Sequence, residues 1–164
     1  MKTTALCALW LLLAGCVYEV PLSSESKQDV NKDLLGRWET VGDDGKVVPL
    51  LVLPWNAREY LVHYPATEKD GLYFRAFVAQ TGDVPIMQFQ CLGTADGQVP
   101  DSPRVYHYGT FPLSGKQLVL RLINTEVVNK DVKTSEALAK AIADRREQPD
   151  LFSDQTVFTR VPAP

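Results

Sequence analysis

Cysteine is scarce in this chain: three in 164 residues, at positions 7, 16 and 91, with no Cys-x-x-Cys among them. Neither a disulfide framework nor a zinc ribbon can be built from such a set. Histidine is scarcer, with only His63 and His107, and neither belongs to a His-x-x-x-His or His-Glu pattern. A metal site needs three or four ligands at a recognisable spacing, so no metal and no cofactor are expected, although two strand histidines flanked by tyrosines could meet across a sheet. A Gly-x-Ser-x-Gly elbow and a glycine-rich phosphate loop are both missing, and no enzymatic activity is expected. Basic residues number 17 against 20 acidic ones and form no cluster, which excludes nucleic acid as a partner. Nowhere is there the run of roughly 20 apolar residues that a membrane-spanning helix requires.

What the chain has first is a short apolar opening. Met1-Lys2 supplies a positive charge, residues 5–13 are apolar, and the exit is Leu13-Ala14-Gly15-Cys16. A charged start, a short apolar stretch and small residues describe a secretory signal peptide, spanning residues 1–15. The exit resembles the lipobox of bacterial lipoproteins. That resemblance implies that Cys16 becomes the first mature residue and carries lipid on its sulfur and amine, with a membrane as partner through this N-terminal anchor. No aspartate follows the cysteine as an inner-membrane retention signal would require, so the implied address is the periplasmic face of an outer membrane. Removing residues 1–15 takes away Lys2 and no acid, leaving 16 basic against 20 acidic residues, a net charge of -4. Cys91 then has no internal partner but the modified Cys16, and its place in the alternating Met87-Gln88-Phe89-Gln90-Cys91 reads as a buried small hydrophobe.

From Cys16 to Asp33 the composition turns to Ser, Glu, Lys, Gln, Asp and Asn with little apolar periodicity, which predicts a lipidated cysteine on a flexible, solvated tether. The folded domain is expected over residues 34–164. It begins as strand-like segments separated by turn signals: "GRWETV", Gly42-Asp43-Asp44-Gly45, "KVVPLLVL", "REYLVHY", Lys69-Asp70-Gly71, "LYFRAFVAQ", Thr81-Gly82-Asp83, "VPIMQFQCL", "RVYHYGTFPL", Ser114-Gly115-Lys116 and "QLVLRLIN". Short connections force antiparallel neighbours, hence an up-and-down meander. Residues 134–146, "TSEALAKAIADRR", then read as a helix, with Thr134 or Ser135 as N-cap, Glu136 in the first turn and Arg145 and Arg146 in the last. A final strand, "QTVFTRV", follows. Eight antiparallel strands with one helix before the last predict a mainly β chain folded as a small barrel, since closure removes exposed sheet edges. An open sheet packed on the helix is the alternative.

Gly36-Arg37-Trp38 on the first strand is similar to the Gly-x-Trp motif of lipocalins, whose eight-stranded barrels carry a late helix followed by a short strand. The resemblance implies that Trp38 plugs the closed end of the barrel and that a late arginine, Arg121 or Arg160, stacks across it. The Thr-Asp-Tyr-like signature of lipocalins is not found here. A ligand would then be a small apolar molecule or lipid in the barrel, with Trp38 as floor and the inward residues Phe74, Phe89, Tyr106 and Leu120 lining the cavity. Large side chains occupy both faces of several strands, as "YLVHY" and "LYFRAFV" show. This fits either a lined pocket with a helix outside or an exposed aromatic face. The second possibility leads to another function: a non-catalytic accessory lipoprotein docking an envelope protein.

Overall fold

Period-two alternation becomes an inside and an outside once a sheet closes on itself. The computed structural model describes residues 17–67, 71–81, 84–153 and 155–162. Cys16, with the lipidation expected there, lies outside the described residues, as do parts of the turns expected around Asp70 and Gly82. The strands are β1 (Gly36–Val41), β2 (Val47–Pro54), β3 (Tyr60–Tyr64), β4 (Leu72–Thr81), β5 (Val84–Thr94), β6 (Tyr106–Thr110), β7 (Leu113–Ser114), β8 (Gln117–Leu122) and β9 (Thr156–Arg160), with one helix, α1 (Ser135–Ala143), before the last.

All pairings are antiparallel, running in chain order from β1 to β6; β8 bonds to β6, and β9 fits between β8 and β1. This is the closed eight-stranded barrel, not the open sheet. The two-residue β7 is no separate stave. The strand expected over residues 104–113 is interrupted at Phe111-Pro112, where proline offers no N–H to the ladder, and β7 resumes pairing with β8. One feature differs from the lipocalin layout: β9 belongs to the wall itself, so the helix intervenes before closure and not after the eighth strand.

The inner core includes Trp38, Leu50, Val62, Phe74, Phe89 and Phe158, taken from alternate positions of their strands. Outside the wall lies a second core of Tyr18, Ile86, Tyr108, Val128, Leu138 and Ile142. Burying each large apolar side chain contributes about 1.5–3 kcal/mol, so both faces of β5 and β6 stabilise the fold. Helix α1 supplies Leu138 and Ile142, one turn apart. Thr134 is its N-cap, accepting from the Ala137 N–H at 3.1 Å, and the helix ends three residues short of the expected Arg146. Arg145 instead bends back, its Nη1 donating to the Ala141 carbonyl at 3.1 Å.

Residues 17–33, expected as a solvated tether, lie along the barrel as a strap. Tyr18 and Tyr106 exchange backbone hydrogen bonds of 3.1–3.2 Å, and the Tyr18 hydroxyl donates to the Val128 carbonyl at 2.9 Å. The strap then crosses β5, where the buried Gln88 side chain accepts from the Leu22 and Ser23 N–H groups at 2.7 and 3.2 Å and donates to the Ser23 carbonyl at 3.1 Å. Ser26 donates to the Val78 carbonyl of β4, and the Asn31 N–H reaches the Tyr60 hydroxyl of β3 at 2.6 Å. Despite its polar composition the segment is tied to the wall by these bonds, with Tyr18 and Ser26 buried, while residues 27–29 and 31–33 stay exposed.

Candidate functional site

One end of the barrel is shut by a latch built on Gly36-Arg37-Trp38. A 3₁₀ turn over Lys32–Leu34 leads into β1, and the fully buried Trp38 donates its indole N–H to the Leu34 carbonyl at 2.9 Å. Of the two late arginines, Arg160 is the one that lies over the Trp38 ring, 4.3 Å from its centroid. Its Nη1 donates to the Leu35 carbonyl at 2.9 Å and its Nη2 to the Asp33 carbonyl. Gly36 makes room for this. Its φ is +128°, and a Cβ there would stand 3.1 Å from Nη1 of Arg160. Arg121 stacks outside the barrel on Phe152, 5.7 Å from the ring centre.

The inner wall borders an apolar cavity of about 50 Å³. Phe74, Phe89 and Leu120, three of the expected lining residues, border it. Trp38, paired across the ladder with the lining residue Leu50, belongs to the same core but is not part of the lining. Tyr106 corrects the expectation: it faces outward, packing with the second core and stacking on Tyr108 at 6.5 Å, and His107 takes the inner position. The cause is register, since Phe89 pairs with His107 and the strap covers Tyr106 and Tyr108 from outside.

The aromatic lining is held edge to face. Phe74 meets Phe89 at 6.4 Å and 82°, Phe89 meets Phe111 at 5.9 Å and 78°, and Tyr64 meets Phe158 at 5.6 Å and 84°. Tyr64, Phe111 and Leu120 are only half-buried and form a rim, whereas Phe74, Phe89 and Phe158 are buried. No residue of the lining carries a permanent charge. The space is smaller than the ~150 Å³ apolar cavity that admits benzene, so a larger guest needs the rim side chains to turn.

The two histidines do not meet across the sheet. His63 lies on the outer face, stacked on Tyr73 at 4.1 Å and 14°, while His107 lies inside, its ring 6.3 Å from Phe74. Burial pushes His107 down to about 4, and burial also lowers His63, whose Nε2 is enclosed without a hydrogen-bond partner. Gly71 permits that enclosure: a Cβ there would fall 2.0 Å from His63 Nε2. Cys91 is buried in the inner core, as its alternating surroundings suggest. Away from the cavity, Arg75 clasps the nearly buried Glu59 through two hydrogen bonds, one of 2.9 Å, holding that carboxyl below its ordinary range.

Sequence reasoning missed His107, Phe111 and Phe158 as lining residues. His107 was legible as a neighbour of the chosen Tyr106, one position away on a strand whose parity decides everything. No family model matches the chain, and no curated protein or solved structure matches it either.

Proposed function

We propose that this chain is a lipid-anchored, periplasm-facing lipoprotein of the outer membrane whose lipocalin-like barrel binds a small, slender apolar molecule or lipid. The observation that carries the proposal is the apolar cavity walled by Phe74, Phe89 and Phe158 and rimmed by the half-buried Tyr64, Phe111 and Leu120. Each methylene taken out of water there contributes about 0.8 kcal/mol, so a chain of several carbons is needed to offset the freedom lost on binding. The sequence Leu13-Ala14-Gly15-Cys16 supports the anchor. With Tyr18 fixed to Tyr106 only two residues after Cys16, the anchored barrel rests close to the bilayer instead of ranging from it on a tether.

Exposed large apolar side chains, by comparison, are dispersed: Val41 and Val47 at one hairpin, Leu53 and Trp55 at the end of β2, and Val99 in a loop. They favour the cavity over a docking face. The test is native mass spectrometry of the full chain extracted in lipid nanodiscs. Acyl mass on Cys16 and a retained hydrophobe are expected, with Cys16→Ser losing the acyl mass and Leu120→Trp losing the hydrophobe while remaining folded. An unacylated chain, or one whose bound mass is indifferent to Leu120→Trp, overturns the corresponding half of the proposal.

A further inference from the structure

His107 is an anomaly in the cavity. It sits on β6 opposite Phe89 and beside Phe74, its residue surface 9% exposed, in a lining whose remaining members are apolar except for the Tyr64 hydroxyl at the rim. On the neighbouring strand the polar Gln88 turns the other way and meets the strap backbone. Facing inward, His107 is acted on by burial alone, with no hydrogen bond among the described residues to satisfy it. Its ring nitrogens, in the wall of the cavity, are therefore the polar partners available to whatever enters it, and a hydrogen bond made there contributes about 0.5–1.5 kcal/mol.

We infer that His107 is the polar anchor of the cavity and that its ligand is a slender amphiphile, an unbranched apolar chain ending in a single O–H group, held head-inward against the imidazole. This rests on the barrel being a binding cavity, and it adds the class of molecule bound. Geometry restricts that class in two ways. With about 50 Å³ between the edge-to-face rings of Phe74, Phe89 and Phe111, a flexible unbranched chain needs less turning of the rim side chains to enter than a rigid ring does. The lining offers no cation, so a phosphate headgroup has no counterpart there, whereas a hydroxyl or an undissociated acid is matched by one imidazole nitrogen. The ring is neutral at pH 7, with one nitrogen free to accept.

The experiment uses the full chain in phosphatidylcholine nanodiscs, equilibrated with equal amounts of decane, decan-1-ol and decanoic acid. The protein-bearing discs are repurified, the bound probes are quantified by gas chromatography, and empty discs are subtracted. Partition into lipid is the same for every variant, so the alcohol-to-alkane ratio compared between proteins isolates the side chain. Wild type is expected to favour decanol over decane by roughly three- to tenfold more than His107→Leu does, the value of one hydrogen bond. His107→Gln, which keeps a donor and an acceptor, should retain most of the preference. Decanoic acid retained in place of decanol, with the same dependence on His107, supports the same anchor and identifies the head as an acid. Decane and decanol retained equally by wild type overturn the inference while leaving the cavity as a binding site, and retention of no probe overturns both. Should His107→Leu fail to fold, the wild-type ratio measured against empty discs still decides, and a ratio no larger than in the lipid alone is a refutation.

Discussion

Tyr18 tests whether the strap is a structural part of the domain. Its ring is 1% exposed and meets Tyr108 edge-on at 5.1 Å, and its hydroxyl donates to the Val128 carbonyl. Tyr18→Phe removes only the hydroxyl and leaves a buried carbonyl unpartnered, at a cost of about 1–2 kcal/mol. Tyr18→Ala also empties a ring-sized space in the outer core, at a cost of about 3–5 kcal/mol, the usual figure for a large buried aromatic truncated to alanine. In a chain of this size each kcal/mol moves the melting temperature by roughly 2–4 °C, so the alanine variant should melt roughly 6–20 °C lower. Urea unfolding followed by the fluorescence of the buried Trp38 would measure both. Two variants within about 0.5 kcal/mol of wild type would mean that residues 17–33 hang free, as their composition suggested, and would refute the strap.

Two further outcomes follow from the barrel interior. His107 has a folded pKa of about 4 against roughly 6.5 unfolded. The unfolded chain therefore binds the proton more readily, and stability present above pH 6.5 is lost as pH falls towards 4, by about 3 kcal/mol. Unfolding curves collected across that range should lose most of this slope in His107→Leu, and parallel curves would refute the assignment. The stability Glu59 draws from Arg75 is present above roughly pH 4.3 and is lost only as pH falls below that, so it adds little slope between pH 6.5 and 4. At the barrel floor, Gly36→Ala should cost about 1–3 kcal/mol in backbone strain, and Arg160→Met about 2–3 kcal/mol in lost hydrogen bonds and ring contact. Because a Cβ at position 36 crowds Arg160 itself, the double variant should be less destabilised than the sum of the two, and strict additivity would show that they do not act as one latch.

Strand order, closure and the late helix were legible because turn signals and alternation are local properties, and "YLVHY" and "LYFRAFV" sort their inner and outer residues correctly from parity alone. Tyr106 went astray for a physical reason. When both faces of a strand are covered, hydrophobicity no longer reports which face is inside, and in Tyr106-His107-Tyr108 the polar residue is the one turned inward. The strap was hidden for the complementary reason. Its tyrosine hydroxyl and several of its backbone groups are satisfied by atoms up to 110 residues distant, which no local composition records. One signal was present in the sequence: Gln88, on the face opposite Phe89 in a strand covered on both sides, needed a polar partner outside the wall.

Barrel closure also sets an order in time. β1 bonds to β2, formed a few residues later, but its other edge waits for β9, the last strand of the chain, to bring Arg160 opposite Trp38. Until the final stave arrives, an unsatisfied row of N–H and C=O groups stays open on β1, and on β8 another waits for the same strand. Pairings so distant in sequence are slow to form, and a half-built wall with two open edges is the species most prone to join a neighbour. A single five-residue strand thus removes both open edges at once, so loss of residues 156–160 would be felt first as aggregation during folding, before any question of ligand arises.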